Sequence, residues 1–263
     1  MQNIGLMMTC NEEDCIAEVM QEHAKYFDKI LVLDGSSDKT PEIIRSFKNV
    51  VYFAKDQDVL PGIKIRDGAR QILLAEAQKR FGYDGWFTLL HGDEIFHDNP
   101  NTTLIAAEKA KVDKVHWYAM QFFLHTSDQT KNFSPNESLQ NRVRWYCPGF
   151  MEIRQFRNKK GIFYPLDQHG CLFPKGLNAR INSKFPTYKH YAYRSREQVT
   201  KKILQTQKTQ FGGAYHQDLE KLIFIEKLPG YKQARHFDGS FHEFELKQQL
   251  PLWLRYFSFW KYR

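Results

Sequence analysis

The sequence predicts an α/β fold with a mostly parallel central sheet flanked by helices, followed by a less regular basic C-terminal portion. Three observations lead there. Short apolar runs alternate with amphipathic helical stretches throughout the first half. Those runs are continuously apolar, as expected of strands covered on both faces. Three of them end in small polar turns, Thr9-Cys10-Asn11, Asp34-Gly35-Ser36 and His91-Gly92-Asp93. In open parallel sheets ligands bind beyond the carboxyl ends of the strands, so the three turns define one candidate rim.

The elements follow in order. Ile4–Thr9 is the first strand, and Asn11-Glu12-Glu13-Asp14 opens a helix that carries Ile16, Val19, Met20 and Ala24. Acidic residues in a first turn suit the positive end of the helix dipole. Lys29–Leu33 is the second strand. Thr40 reads as an N-cap, with Pro41 at the first helical position. Val50–Ala54 is a third strand, and a long helix from about Gly62 to Arg80 places Ile65, Ala69, Ile72, Leu73 and Ala77 on one face. Trp86–Leu90 is the fourth strand, Thr102–Lys111 a further helix and Lys114–Leu124 a long aromatic strand. Beyond it, Asp128–Ser138 reads as a polar loop, Arg142–Arg157 as strand-rich and Tyr164–Lys175 as a Gly/Pro-punctuated loop. Thr187–Tyr193 is a tyrosine-rich strand, and about Arg196 to Lys208 is a helix. Residues 1–125 form one functional half and 126–263 the other, within one continuous domain.

Composition narrows the class. Of 263 residues, 42% are hydrophobic and 15% aromatic, enough for a packed core and too apolar for a disordered chain. No apolar run reaches the ~18–20 residues that span a bilayer. The start lacks the basic-then-apolar order of a secretory signal, and the four cysteines show no CxxC pair, so reduced thiols in a cytoplasmic protein are expected. Residues 1–140 hold 15 Lys/Arg against 21 Asp/Glu, whereas residues 141–263 hold 23 against 9. An acidic front half and a basic back half suit a cation site and an anion-facing surface.

Three segments, IGLMMTCNEED, KILVLDGSSDKTPEII and GWFTLLHGDEIF, resemble the family 2 glycosyltransferases of GT-A fold, as do FMEIRQFRN and KHYAYRSREQ more loosely. The resemblance implies an inverting transfer of a sugar from a nucleotide-sugar donor, UDP-linked, to a glycan or lipid-linked acceptor, in polysaccharide or lipopolysaccharide biosynthesis. It also implies a divalent cation, Mn²⁺ or Mg²⁺, that stabilises the departing diphosphate as a Lewis acid. Asp93 is the expected metal ligand, with a turn-capping role as its alternative. His91 stands where the family has the first acid of Asp-x-Asp; a neutral imidazole ligates Mn²⁺ as well, and a hydrogen-bonded structural histidine is the other reading.

The same resemblance gives Asp34 the imide N–H of uracil, the competing role being an Asx-turn. Thr9, Asn11, Glu12, Gly92 and Glu94 would line the donor site. Arg66 would neutralise phosphate or the 93/94 carboxylates, unless it is a solvated helix arginine. His169 and His190 correspond to positions near the donor phosphates. Deprotonating the acceptor needs a base, and Gly170 occupies the place where relatives carry an acid. Asp167 is therefore the expected base, with Glu94 and Glu152 as alternates.

The tail PLWLRYFSFWKYR sets Trp253, Phe257 and Trp260 at helical spacing among basic residues. Peripheral contact with the inner face of a membrane is one expectation and docking onto the core the other. No nucleic-acid partner is expected, since no recognised motif accompanies the basic half. The alternative to an enzyme is a degenerate relative that binds a nucleotide sugar or glycan without transferring it.

Overall fold

The computed structural model describes residues 1–59, 66–131, 137–165, 174–182, 184–207, 224–226, 234–241 and 244. Its elements are β1 (Asn3–Thr9), α1 (Ile16–Ala24), β2 (Ile30–Asp34), α2 (Thr40–Arg45), β3 (Val50–Lys55), α3 (Asp56–Val59), α4 (Arg66–Phe81) and β4 (Trp86–His91). They continue with β5 (Glu94–Phe96), α5 (Pro100–Ala110), β6 (Lys114–Phe123), α6 (Leu139–Arg142), β7 (Trp145–Arg157), β8 (Thr187–Tyr193), α7 (Arg196–Gln207) and β9 (Arg235–His236).

One sheet runs in the order β3-β2-β1-β4-β7-β6-β8-β5, with β9 paired to β7. β1 is parallel to both β2 and β4, and β2 to β3, as the strand–helix alternation predicts. The remainder departs from that expectation. β7 runs antiparallel to β4 and to β9, so the sheet is mixed. The partners are far apart in sequence: β5, α5, β6 and α6 lie between β4 and β7.

Two compact units are interleaved in sequence. One comprises Met1–Tyr118 and Met151–Tyr188, the other Ala119–Phe150 and Lys189–Arg263. In the first unit Ile4, Leu6, Leu31, Leu33, Phe87 and Leu89 pack against Leu73, Leu74 and Ala77 of α4. Each such side chain, fully buried, contributes roughly 1.5–3 kcal/mol. In the second unit Phe122 stacks on Tyr146 at 5.5 Å and meets Tyr191, Phe237 and Phe241. A further cluster there joins Phe123, Cys147 and Ile225. Much of the aromatic excess of the sequence is spent in these clusters.

Local signals act through neighbours as well as in sequence. α5 begins as the Asn-Pro pair dictates: Asn99 accepts from the N–H groups of Asn101 and Thr102, and Pro100 needs no partner. At α2 the expected cap is displaced. Thr40 is already helical, its N–H donates to Asp38 Oδ1 at 2.9 Å, and its own Oγ1 accepts the Glu12 N–H at 2.8 Å. Among the described residues Cys10, Cys15 and Cys147 form no disulfide, and Cys171 lies outside those residues. Among the described residues no helix is long and apolar enough to cross a membrane; the tail 250–263 is outside them.

One buried titratable group sets a pH dependence. His23, in the last turn of α1, is buried between Phe27 and Phe96. Burial lowers its pKa from 6.5 to about 4, with Glu94 only partly opposing the shift. The unfolded chain therefore takes up a proton near pH 6.5 that the folded chain refuses until about pH 4. Stability is complete above pH 6.5 and falls as pH drops through that window, by about 3 kcal/mol in all. Urea denaturation at pH 7, 5.5 and 4 should show this loss in the parent chain, and His23→Leu should reduce the slope by that amount.

Candidate active site

Strand register brings the three polar turns together. Thr9 pairs with Asp34 across β1 and β2, and Met8 pairs with His91 across β1 and β4. The tips of β1, β2 and β4 thus end at one level on one edge of the sheet, with β1 in the middle. The turns are then tied to each other. Asn11 adopts a left-handed conformation at φ 57°, which asparagine tolerates better than most residues. Its N–H donates to Ser36 Oγ at 2.8 Å, and its Oδ1 accepts the Ser37 N–H at 2.8 Å. The β1 and β2 turns therefore form one hydrogen-bonded unit.

Gly92 lies equally close to the β1 turn. A Cβ at this position would sit 2.7 Å from Thr9 Oγ1 and 2.9 Å from Glu12 Cγ. The Cys15 thiol donates to the Gly92 carbonyl at 3.3 Å, fixing the β4 tip against the start of α1. Gly92→Ala should cost about 1–3 kcal/mol of stability, because the buried Thr9 hydroxyl and the Cβ and Cγ of Glu12 would have to shift to admit the methyl group. Thermal denaturation checks this, and an unchanged melting temperature would contradict so close an approach.

Asp34 is completely buried, and both carboxylate oxygens are engaged. Ser36 Oγ donates to Oδ1 at 2.5 Å, and Lys55 Nζ donates to Oδ2 at 2.7 Å. Lys55 also donates to the Ser36 carbonyl at 2.5 Å and keeps 22% of its side chain exposed. Asp34 orders the β2 turn, and Lys55, at the end of β3, is the exposed member of the pair.

Glu94 lies in a buried cluster. Its carboxylate is buried and accepts from Arg154, a guanidinium 2% exposed that also holds Glu152 and donates to the Tyr188 hydroxyl at 2.9 Å. Tyr188 in turn donates to Glu152. Burial disfavours the Arg154 charge, but Glu152 and Glu94 outweigh it and raise its pKa well above the ordinary value. Burial likewise pushes the Tyr188 phenol well up. Two of the three acids considered as bases are thus tied to one buried cation. The reason is the strand period: Glu152 and Arg154 are two apart on β7, and both point to the same face.

His91 completes this cluster. Its Nδ1 lies 3.2 Å from Glu94 Oε1, and its Nε2 is buried without a hydrogen-bond partner among the described residues. Asp93 is buried beside it. Ligand atoms of His91, Asp93 and Glu94 lie within 4.8 Å of one another. Thr9, 7% exposed and packed against Gly92, also has an orphaned Oγ1. Buried polar atoms without partners are costly, and a divalent cation bound here would give such atoms a role, so the donor set fits the expected ion. Glu12, Asp14 and Cys15 form a second close group, but there the thiol is a hydrogen-bond donor, and a protonated thiol is no ligand.

Arg66 opens α4, but its side chain is outside the described residues, as are Asp167 and His169. His190 lies in the second unit, where Gln121 Nε2 approaches its Nδ1 at 2.9 Å. Sequence reasoning missed Arg154 and Lys55. The available signals were a Glu-x-Arg pair inside an apolar strand, and a lysine closing a strand beside an acid-tipped one.

These features define an α/β protein whose polar site stands at the carboxyl ends of its parallel strands. Residues 6–170 match the family described as Glycosyl transferase family 2, and the chain belongs to that family. No curated protein matches the chain. Among solved structures it is similar to TarS of S. aureus, at 13% identity and TM-score 0.42, over 79% of this chain and 40% of that one. It is also similar to S. aureus TarS 1–349 in complex with UDP-GlcNAc, at 14% identity and TM-score 0.43, over 85% of this chain and 70% of that one. The chain thus spans 40% of the length of the first of these structures.

Proposed function

We propose that the protein is an inverting glycosyltransferase that moves a sugar from a nucleotide-sugar donor, UDP-linked, to a glycan or lipid-linked acceptor. One observation carries the reading: the tips of β1, β2 and β4 end at one level, with Gly92 against Thr9 and Glu12. Thr9, Asn11, Glu12 and the Asp34–Lys55 pair would surround the nucleoside, Lys55 donating to a base or ribose oxygen while Asp34 keeps it in place.

Asp93 and His91 would hold the cation, Mn²⁺ or Mg²⁺, whose contribution when bound is to stabilise charge on the departing diphosphate. Arg66 and His169 would add positive charge near the phosphates, and Asp167 would take the acceptor proton. Residues 126–263, with their excess of Lys and Arg, would meet an acceptor that carries negative charge. Peripheral membrane contact through the tail 250–263 belongs to the same reading, since it would bring a lipid-linked acceptor within reach.

The engagement of Glu94 and Glu152 by Arg154 favours a second reading, a binder that does not transfer. Incubation with UDP-sugars, Mn²⁺ and candidate acceptors separates the two. Release of UDP, with an inverted anomeric centre in the product by NMR, is the expected result; tight donor binding without UDP release would establish the binder.

A further inference from the structure

We propose that His125, Trp145 and His236 form a saccharide-binding platform on the second compact unit, taking the face of a neutral sugar ring. A glycan bound there is an acceptor only under the reading above, but its binding does not depend on that reading. The His125 ring stacks on the Trp145 indole at 4.0 Å and 18°. The His236 ring stands edge-on to the same indole at 5.4 Å and 77°. Trp145 packs inward on Phe123, Cys147 and Ile225. His236 is exposed and the other two rings are half-buried, so the aromatic group reaches the surface.

Each ring is held in place. Trp145 and His236 face each other in the β7–β9 pairing, and Arg144 Nε and Nη2 donate to the Phe237 carbonyl at 3.1 and 2.7 Å. His125 Nδ1 accepts the Ser127 N–H at 3.1 Å, and the His125 N–H donates to Asp128 Oδ2 at 3.1 Å. Side chains ordered in advance add little to the entropic cost of binding. The chemistry then selects the ligand. The face of an aromatic ring is its negative side, and it attracts the polarised C–H groups on one face of a sugar. Partial burial, then the charges of Arg144 and Lys131, lower the pKa of His236 from 6.5, so its ring is neutral at pH 7. The described charges that act on it balance, Arg144 and Lys131 against Asp128 and Asp238. A nucleic-acid backbone or an anionic bilayer would call for cations alone. Hydroxyl groups both donate and accept, which suits a rim of both signs, with Lys131 and Asp238 its exposed members.

The test applies the labelled full chain to an array of neutral and anionic oligosaccharides, then titrates it with the neutral one that binds best. Binding should weaken about tenfold in His236→Ala, an exposed position, and in Trp145→Ala, the loss expected for one aromatic contact. Trp145→Phe should retain it within about threefold, because a ring remains. The thermal shift produced by a UDP-sugar with Mn²⁺ should be the same in His236→Ala as in the parent chain. No oligosaccharide bound by the parent, binding confined to anionic ones and lost in salt, or binding kept by both alanine variants would overturn the platform. A bound oligosaccharide that receives no sugar from any UDP-sugar would leave the platform standing and overturn its identification as an acceptor site.

Discussion

Asp93→Asn should lower the rate of sugar transfer about 10²–10³-fold while leaving the fold intact, because several kcal/mol of leaving-group stabilisation depend on its charge. Asparagine keeps the shape and one oxygen of the side chain, so the turn between β4 and β5 retains its packing against Thr9 and Glu12. What it loses is the negative charge that would hold a cation against the diphosphate. Turnover at saturating donor, measured at several Mn²⁺ concentrations beside a thermal melt, separates the two effects. Full turnover with an unchanged Mn²⁺ requirement would remove Asp93 from the chemistry. A melting temperature far below that of the parent chain would instead give it the turn-capping role.

The largest effect on stability is expected at Arg154. Arg154→Met leaves Glu94 and Glu152 buried without their cation, which should cost about 3–5 kcal/mol. Converting the whole set, with Glu94→Gln and Glu152→Gln added to Arg154→Met, removes the uncompensated charges and should recover most of that loss. Urea midpoints of the single and triple variants test the contrast. Equal destabilisation of the two would mean that the guanidinium contributes packing, through its place over the Tyr188 ring at 4.6 Å, more than charge.

Much of the first half of the chain was legible because its signals are local. β1, β2 and β4 are continuous apolar runs ending in polar turns, and the observed strands extend one residue past the expected ones at Asp34, Lys55 and His91. A strand whose last residue is polar hides its true end from a reading based on apolarity alone. β5 escaped notice because three residues, Glu94–Phe96, carry no period. The antiparallel β7 escaped because strand direction is decided by connections and partners rather than by residues within the strand.

The roles within the site were less legible than its position. Asp34 reads in sequence as an exposed turn acid, and only the tertiary placement of Lys55, 21 residues away, reveals that its oxygens are engaged. Glu94 reads as the second acid of a pair facing substrate, yet Arg154, 60 residues on, draws it into a buried cluster. Asn11 reads in sequence as the opening of the first helix, whereas α1 begins at Ile16 and Asn11 takes a left-handed turn conformation. Here it joins two turns. Pairings over long sequence separations leave no local periodicity, so a buried ion pair looks like two unrelated charges until the strands are aligned.

In the proposed function the tips of β1, β2 and β4 together bind a nucleotide sugar with a divalent cation. A thermal-shift series on the full chain, with UDP-sugars in Mn²⁺ and in EDTA, tests it most directly, because a ligand confined to the folded state raises the melting temperature. The expected result is a rise with a UDP-sugar in Mn²⁺ that disappears in EDTA and in Asp93→Asn. A rise of equal size under all three conditions, or none with any nucleotide sugar, would contradict it.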